Sequence, residues 1–196
     1  MHYLGFLNRV QKLRWIDRCS NTPHIKPYSV AQHSFYAAMY AVVFSSIENE
    51  SHRYEKYNLG IVAQKALVHD LEESVTGDIL FPIHNQYEEF KSKLDFIRDR
   101  CVEKEVFKEL SDQNKQFFIK LWKEAKDDTN EGKMVACMDK FEILMYIISE
   151  MEIGNHSVPI VEIYTNAIII IKEQFGFIGS VIGAVTDIES VYGEVM

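Results

Sequence analysis

His33, the adjacent pair His69-Asp70, and Asp139 are the residues of this chain whose types and surroundings can do chemistry. Each lies in an apolar stretch. His33 precedes the small residues Ala37, Ala38 and Ala41, and His69-Asp70 closes the segment that runs through Ile61-Val62-Ala63 and Ala66-Leu67-Val68. Asp139 follows Met134-Val135-Ala136-Cys137-Met138, with Phe141, Ile143 and Leu144 beyond it. An ionised carboxylate among such neighbours is costly unless it is paired or holds a cation. Two imidazoles and two carboxylates make a mixed nitrogen and oxygen set suited to one divalent ion such as Mn²⁺, Fe²⁺, Co²⁺, Ni²⁺ or Zn²⁺. Such a set leaves positions open for water and a phosphate oxygen, as metal-assisted hydrolysis requires. On a continuous helix Glu73 shares one face with His69 and Asp70. Asp78 follows in the turn Thr76-Gly77-Asp78, where a loop can aim it at the same place. The plainer alternative is a hydrogen-bonded core histidine and a helix aspartate paired with Lys140 or Lys133.

The elements that must position these residues read almost entirely as helix. Leu4, Leu7, Val10, Leu13 and Ile16 recur every third residue and predict a helix from Tyr3 to Ile16. A loop follows from Asp17 to Tyr28, bracketed by Pro23 and Pro27. Ser29-Val30-Ala31-Gln32 is a capping-box pattern and opens a helix that runs to about Glu48. Asn58 can cap a third helix from Leu59 to about Glu73, ahead of the turn around Gly77 and Pro82. A charged helix, best read as a solvated face, is expected from Gln86 to Leu110, then Ser111 as the cap of a helix over Asp112 to Ala125. Phe117, Phe118 and Trp122 there are core or a subunit contact. The spacing predicts a helix from Gly132 to Glu152 with a Gly154-Asn155 stop, and a buried helix from Val158 to Phe175 despite its run of isoleucines. From Gly176 onward the chain holds four of its nine glycines and reads as an irregular tail.

The expected architecture is all-α, a helical bundle in one domain over residues 1–196. Its chemistry lies in about 1–155, with a C-terminal helix and tail over about 158–196. The 196 residues are 47% apolar with a net charge of −8, which excludes disordered and collagen-like classes and argues against a nucleic-acid polymer or an anionic membrane as partner. Arg9, Lys12 and Arg14 interrupt the first apolar residues, so no secretory signal is expected. Three widely spaced cysteines without a C-x-x-C fit a reducing cytoplasm. There is no G-x-S-x-G, Walker A or G-x-G-x-x-G motif, which leaves nucleophile-elbow, P-loop and Rossmann chemistry without support.

Val30-Ala31-Gln32-His33-Ser34, the stretch His69-Asp70-Leu71-Glu72-Glu73-Ser74-Val75-Thr76-Gly77-Asp78, and Met138-Asp139-Lys140 together resemble the H…HD…D signature of the HD-domain phosphohydrolases. The forms around His33 and from His69 to Asp78 resemble the YfbR-like 5'-deoxynucleotidase branch in particular. The resemblance covers about three-quarters of the chain. It implies an all-α bundle in which His33, His69, Asp70 and Asp139 bind one divalent ion (Mn, Co, Fe, Ni, Zn or Mg). It also implies hydrolysis of a nucleoside 5'-monophosphate, and a homodimer. By the same resemblance Glu73 positions water or substrate, Asp78 handles the attacking water or the leaving group, and Arg18 contacts the phosphate, a contact that can be bidentate.

The chain departs from that pattern at Gln32, where the family has Glu and either residue completes the cap. It departs again at Cys19, where the family has a Trp that crowds the sugar's 2' position, which puts discrimination against ribonucleotides in question. Beyond Val158 no motif invites comparison. Two other functions compete with a monophosphatase: a nucleotide di- or triphosphohydrolase, which needs more basic residues around the site than the motifs offer, and a non-catalytic metal- or nucleotide-binding module, which has no use for Glu73 and Asp78.

Overall fold

The computed structural model describes residues 3–51, 56–79 and 88–193. Among these, every regular element is helical, and the one β-type contact is an isolated antiparallel bridge between Asp17 and Ser29. The expected turn at Pro82 and the expected start of the charged helix at Gln86 lie outside the described residues.

α1 spans Leu4–Lys12 and tightens into a 3-10 turn over Leu13–Trp15. The threefold apolar spacing does not bury the face it marks. Leu4 and Leu7 are exposed, and α1 is held instead through Leu13 and through Phe6, whose ring lies 6.0 Å from that of Phe107. α2 spans Val30–Glu50 behind a complete capping box: Ser29 accepts from the Gln32 amide, and the Gln32 side chain accepts from the Ser29 amide. Ala37, Ala38 and Ala41 are buried on it, as small residues must be where helices approach closely.

α3, Leu59–Val68, starts at an Asn58 cap. It stops short of the expected Glu73. Its last turn tightens, with Leu71 donating to the Val68 carbonyl and Glu73 to that of Asp70, before the single turn α4, Glu73–Thr76. Gly77 ends that turn at φ +73°, a backbone conformation that favours glycine. α5, Glu88–Cys101, likewise ends before Leu110, in a π turn over Val102–Val106 that drives Val102, Val106 and Phe107 into the core. α6 runs Asp112–Lys123 from a Ser111 cap, α7 Asn130–Met151 from a Thr129 cap, and α8 Val158–Phe175. Ile160, Tyr164, Ala167, Ile168, Ile171 and Phe175 are buried along α8, so its β-branched run is a core helix and not a strand.

The C-terminal stretch is not an irregular tail. Gly179–Tyr192 forms helix α9, and Ile178, Val181 and Val185 are fully buried by it. Gly183 in its interior costs about 1 kcal/mol relative to alanine, and burial of those three apolar side chains outweighs that. The helix has no cap of its own. Glu48, at the far end of α2, accepts the Ser180 amide at 2.8 Å in its place.

The core has two parts. The larger joins α2, α3, α7, α8 and α9, and the smaller gathers Leu13, Val30, Val68, Leu71, Val102, Val106 and Phe107. Val30 and Ala38 on α2, and Ala66 and Val68 on α3, fall in opposite parts. His33 and His69 therefore lie along the seam.

Candidate metal centre

α2 carries His33 one turn into the helix, the tightened end of α3 carries His69 and Asp70, and α7 carries Asp139. All four are buried, His33 completely. Each offers one ligand atom, and the four atoms lie within 4.8 Å of one another. His33 Nε2 is 3.1 Å from Asp139 Oδ1, and His69 Nε2 is 3.0 Å from Asp70 Oδ2.

The imidazole tautomers follow from the hydrogen-bond network. His69 donates its Nδ1–H to the Ala66 carbonyl at 2.6 Å, and His33 donates its Nδ1–H to Glu142 Oε2 at 2.5 Å. Tyr28 donates its hydroxyl to the same Glu142 oxygen. Both rings thus turn Nε2 inward, and these two nitrogens face each other at 3.3 Å. Asp139 Oδ1 and Asp70 Oδ2 converge on the same two nitrogens, at 3.1 Å from His33 and 3.0 Å from His69. Asp139 Oδ1, buried and without a hydrogen-bond partner, faces the same space. A cation between them satisfies all of these atoms at once, so the residues present fit a first-row divalent ion.

Charge around the set is heavily compensated. Arg18 Nη1 donates to Asp70 Oδ2 at 2.9 Å and stands 3.6 Å from Glu73 Oε2, while its Nη2 is 3.8 Å from Asp139 Oδ1. Lys126 Nζ is 2.7 Å from Asp139 Oδ2 and Lys140 Nζ 3.1 Å from the same oxygen. Burial works against ionisation of Asp70, yet His69, Lys126 and Arg18 hold its carboxyl well below the usual range. Burial also opposes ionisation of Asp139, and Lys126, Lys140 and His33 outweigh it. Glu73 goes the other way. Burial, reinforced by the Asp70 charge, pushes its carboxyl well above the usual range.

Asp78 lies on the loop after α4, half-buried, and its Oδ2 accepts the Cys19 amide at 3.3 Å. That bond ties it to the loop bearing Arg18. Cys19 sits at φ +54°, in the left-handed region. Burial, and to a smaller extent the charge of Asp78, raises its thiol to about 11 against the pull of Arg18. Beside the metal ligands a cavity of about 350 Å³ is lined by His69 and Asp70, by Asp95, Arg98 and Asp99 of α5, and by Trp122 and Lys126. The charged helix is thus not merely a solvated face. Trp122 donates its indole N–H to Glu72 at 2.7 Å, and burial and the Asp70 charge raise the Glu72 carboxyl to about 7.

Sequence reasoning placed His33, His69, Asp70, Glu73, Arg18 and Asp139 together, and the structure does so too. The one-face argument for Glu73 fails in its form, because α3 has already ended; tight turns deliver the residue instead. Lys140 does pair with Asp139, as the plainer alternative expected, but Asp139 also faces both imidazoles. Lys126, Glu142 and Tyr28 were missed, and so was the basic charge that Lys126 and Lys140 bring to the motifs. Glu142 alone left a signal, as a carboxylate three residues beyond Asp139 in an apolar helix.

A helical fold that sets a histidine, a His-Asp pair and a later aspartate around one point defines the HD-domain phosphohydrolase class. An HD-domain phosphohydrolase from Listeria innocua superposes with a TM-score of 0.78 at 28% identity, covering 88% of this chain and 81% of that one. The pattern of the 5'-deoxynucleotidase YfbR-like family matches residues 5–174, and the chain belongs to that family. It is similar to the 5'-deoxynucleotidase HDDC2 of Dictyostelium discoideum, with 29% identity over 147 residues, 74% of this chain and 75% of that protein. The human 5'-deoxynucleotidase HDDC2 is 27% identical over 157 residues, 80% of this chain and 68% of its own length.

Proposed function

We propose that this protein is a metal-dependent 5'-deoxynucleotidase, a phosphoric monoester hydrolase that converts (deoxy)nucleoside 5'-monophosphates to nucleoside and phosphate. The observation that carries the reading is the buried convergence of two inward Nε2 atoms at 3.3 Å with Asp70 and Asp139, four ligand atoms within 4.8 Å of one another, and Arg18 alongside. Family membership and the activity of its relatives support it.

His33, His69, Asp70 and Asp139 would hold the ion, drawn from Mn²⁺, Co²⁺, Fe²⁺, Ni²⁺, Zn²⁺ or Mg²⁺. When bound, it supplies Lewis-acid polarisation of a phosphoryl oxygen and lowers the pKa of water. Arg18 can turn Nη1 from Asp70 and Glu73, and Nη2 from Asp139, toward two phosphate oxygens. Glu73, whose carboxyl burial and the Asp70 charge push above its usual range, positions water or substrate. Asp78 moves the proton, taking it from the attacking water or delivering it to the 5'-oxygen as the P–O bond breaks. The acidic overall balance of −8 fits a small anionic substrate held by a local cationic site better than a nucleic-acid polymer.

We further read the chain as a single domain over 1–196, supported by the docking of α9 on α2 through Glu48. A cytoplasmic setting is supported by Cys19, Cys101 and Cys137, all free thiols. Among the described residues no helix is long and apolar enough to cross a membrane. A homodimer is supported by the exposed outer face of α2, where Phe35, Met39 and Val43 follow one another at single turns.

The test is phosphate release by metal-stripped protein with each ion restored in turn. The panel is the four deoxynucleoside monophosphates, their ribo-counterparts and one deoxynucleoside triphosphate, with Asp70→Ala as control. Metal-dependent release from monophosphates that Asp70→Ala abolishes, together with ion binding, is the expected result, and the deoxy-to-ribo ratio measures what Cys19 does in place of Trp. Release from the triphosphate alone would replace this reading with a triphosphohydrolase, and normal turnover by Asp70→Ala would remove the metal assignment.

A further inference from the structure

Lys126 lies outside every segment that carries the family signature, on the loop between α6 and α7. Its Nζ stands 2.7 Å from Asp139 Oδ2 and 3.7 Å from Asp70 Oδ1. In each carboxylate this is the oxygen turned away from the imidazoles, because Asp139 Oδ1 and Asp70 Oδ2 are the atoms beside His33 and His69. The loop is fixed from both sides. Lys65 of α3, itself buried, donates to Asp127 Oδ1 at 2.7 Å and to Thr129 Oγ1 at 3.0 Å. On the other side the loop presses against the start of α7, where a Cβ on Gly132 would stand 2.6 Å from the Asp127 backbone nitrogen. Only glycine permits that approach.

We propose that Lys126 is a positioning residue that engages the outer oxygens of both carboxylate ligands, so that each offers one oxygen to the ion. The inference rests on the metal reading above. A free carboxylate can close on a cation with both oxygens and use up a coordination position. An ammonium group on the outer oxygen prevents this and keeps positions for water and phosphate. Its removal leaves neither carboxylate without a cation, but it frees only one outer oxygen: Lys140 still holds Asp139 Oδ2 at 3.1 Å, whereas Arg18 holds the inner oxygen of Asp70 at 2.9 Å and leaves Asp70 Oδ1 uncovered. What is lost is a positive charge beside a divalent cation. Lys126 therefore weakens ion binding while it raises turnover, and the two effects part company on substitution.

The experiment titrates metal-stripped wild type, Lys126→Met, Lys126→Gln and Lys126→Arg with Co²⁺, reading its visible absorption, and measures kcat for a deoxynucleoside monophosphate on each. For the two neutral variants the expected result is tighter Co²⁺ binding, from loss of a like charge beside the ion, with kcat reduced by about tenfold. Lys126→Arg should stay near wild type in both. A merely structural role would weaken binding and turnover together. Equal or weaker Co²⁺ binding by both neutral variants, or unchanged kcat, overturns the proposal. Failure of wild type to bind Co²⁺ would instead bring down the metal reading, and this inference with it.

Discussion

Glu142 is the residue on which the orientation of His33 depends. Its Oε2 accepts the imidazole Nδ1–H at 2.5 Å and the Tyr28 hydroxyl as well, and this fixes the tautomer that turns Nε2 inward. Glu142→Gln keeps the shape and removes the charge that favours this arrangement. The expected outcome is ion affinity lowered by about 10- to 100-fold with helicity unchanged, measured by metal titration and far-ultraviolet circular dichroism. At this scale the ligands were legible because each is a polar residue stranded in an apolar run. Arg18, Glu73 and Asp78 were legible by family resemblance. Lys126 was not, because a lysine among Lys123, Glu124 and Asp127 looks like any solvated loop charge, and only the fold brings it to Asp139.

Among the elements, α7 acts as a ruler. Asp139, Glu142, Tyr146 and Glu150 recur along it at helical spacing, over about 16 Å at 1.5 Å per residue, and each holds a different part of the site. Tyr146 stacks on Tyr28 with ring centroids 3.7 Å apart and donates to the Lys26 carbonyl at 3.0 Å. Glu150, fully buried, accepts the Ile25 and Lys26 amides at 2.7 Å each. These contacts anchor the loop that carries Arg18. In Glu150→Gln an amide donor faces a backbone donor, and an orphaned buried N–H costs about 1–3 kcal/mol. Because the loop loosens while the metal ligands stay, KM should rise more than kcat falls.

The same carboxylate has a pH signature. Burial alone would raise the Glu150 carboxyl, but bonds from Asn155 and from the Ile25 and Lys26 amides hold it below its ordinary value. Its contribution is therefore present above the ordinary glutamate range of about 4.3 and is lost as pH falls below it. The melting-temperature gap between wild type and Glu150→Gln should accordingly narrow in acid; a gap independent of pH would refute this account. Most helices were legible from periodicity and caps, and the errors have local causes. The end of α3 tightens where His69 bonds back to Ala66, the charged helix opens into a π turn to bury Val102 and Val106, and α9 takes its N-terminal cap from a distant glutamate that no local pattern reveals.

For the molecule as a whole, α2 joins everything. His33 sits near its first turn, Glu48 caps α9 at its last, and its outer face presents Phe35, Met39 and Val43 to solvent. The homodimer proposed above would cover that exposed apolar stripe with a second copy. Light scattering should give twice the 22.8 kDa chain mass, and Met39→Glu should halve it; a monomeric wild type would refute the dimer. Fold class and site were legible at this scale because the chain is helical nearly throughout, whereas which apolar faces lie inside was not, as exposed Leu4 and Leu7 show. The three thiols have a consequence of their own. Burial, with nearby carboxylates adding to it at Cys19 and Cys101, raises all three, Cys19 to about 11. At neutral pH about one Cys19 in ten thousand is then the reactive thiolate. A cysteine beside the arginine proposed to receive phosphate is thereby kept chemically quiet, so alkylating agents and mild peroxide find little to attack there.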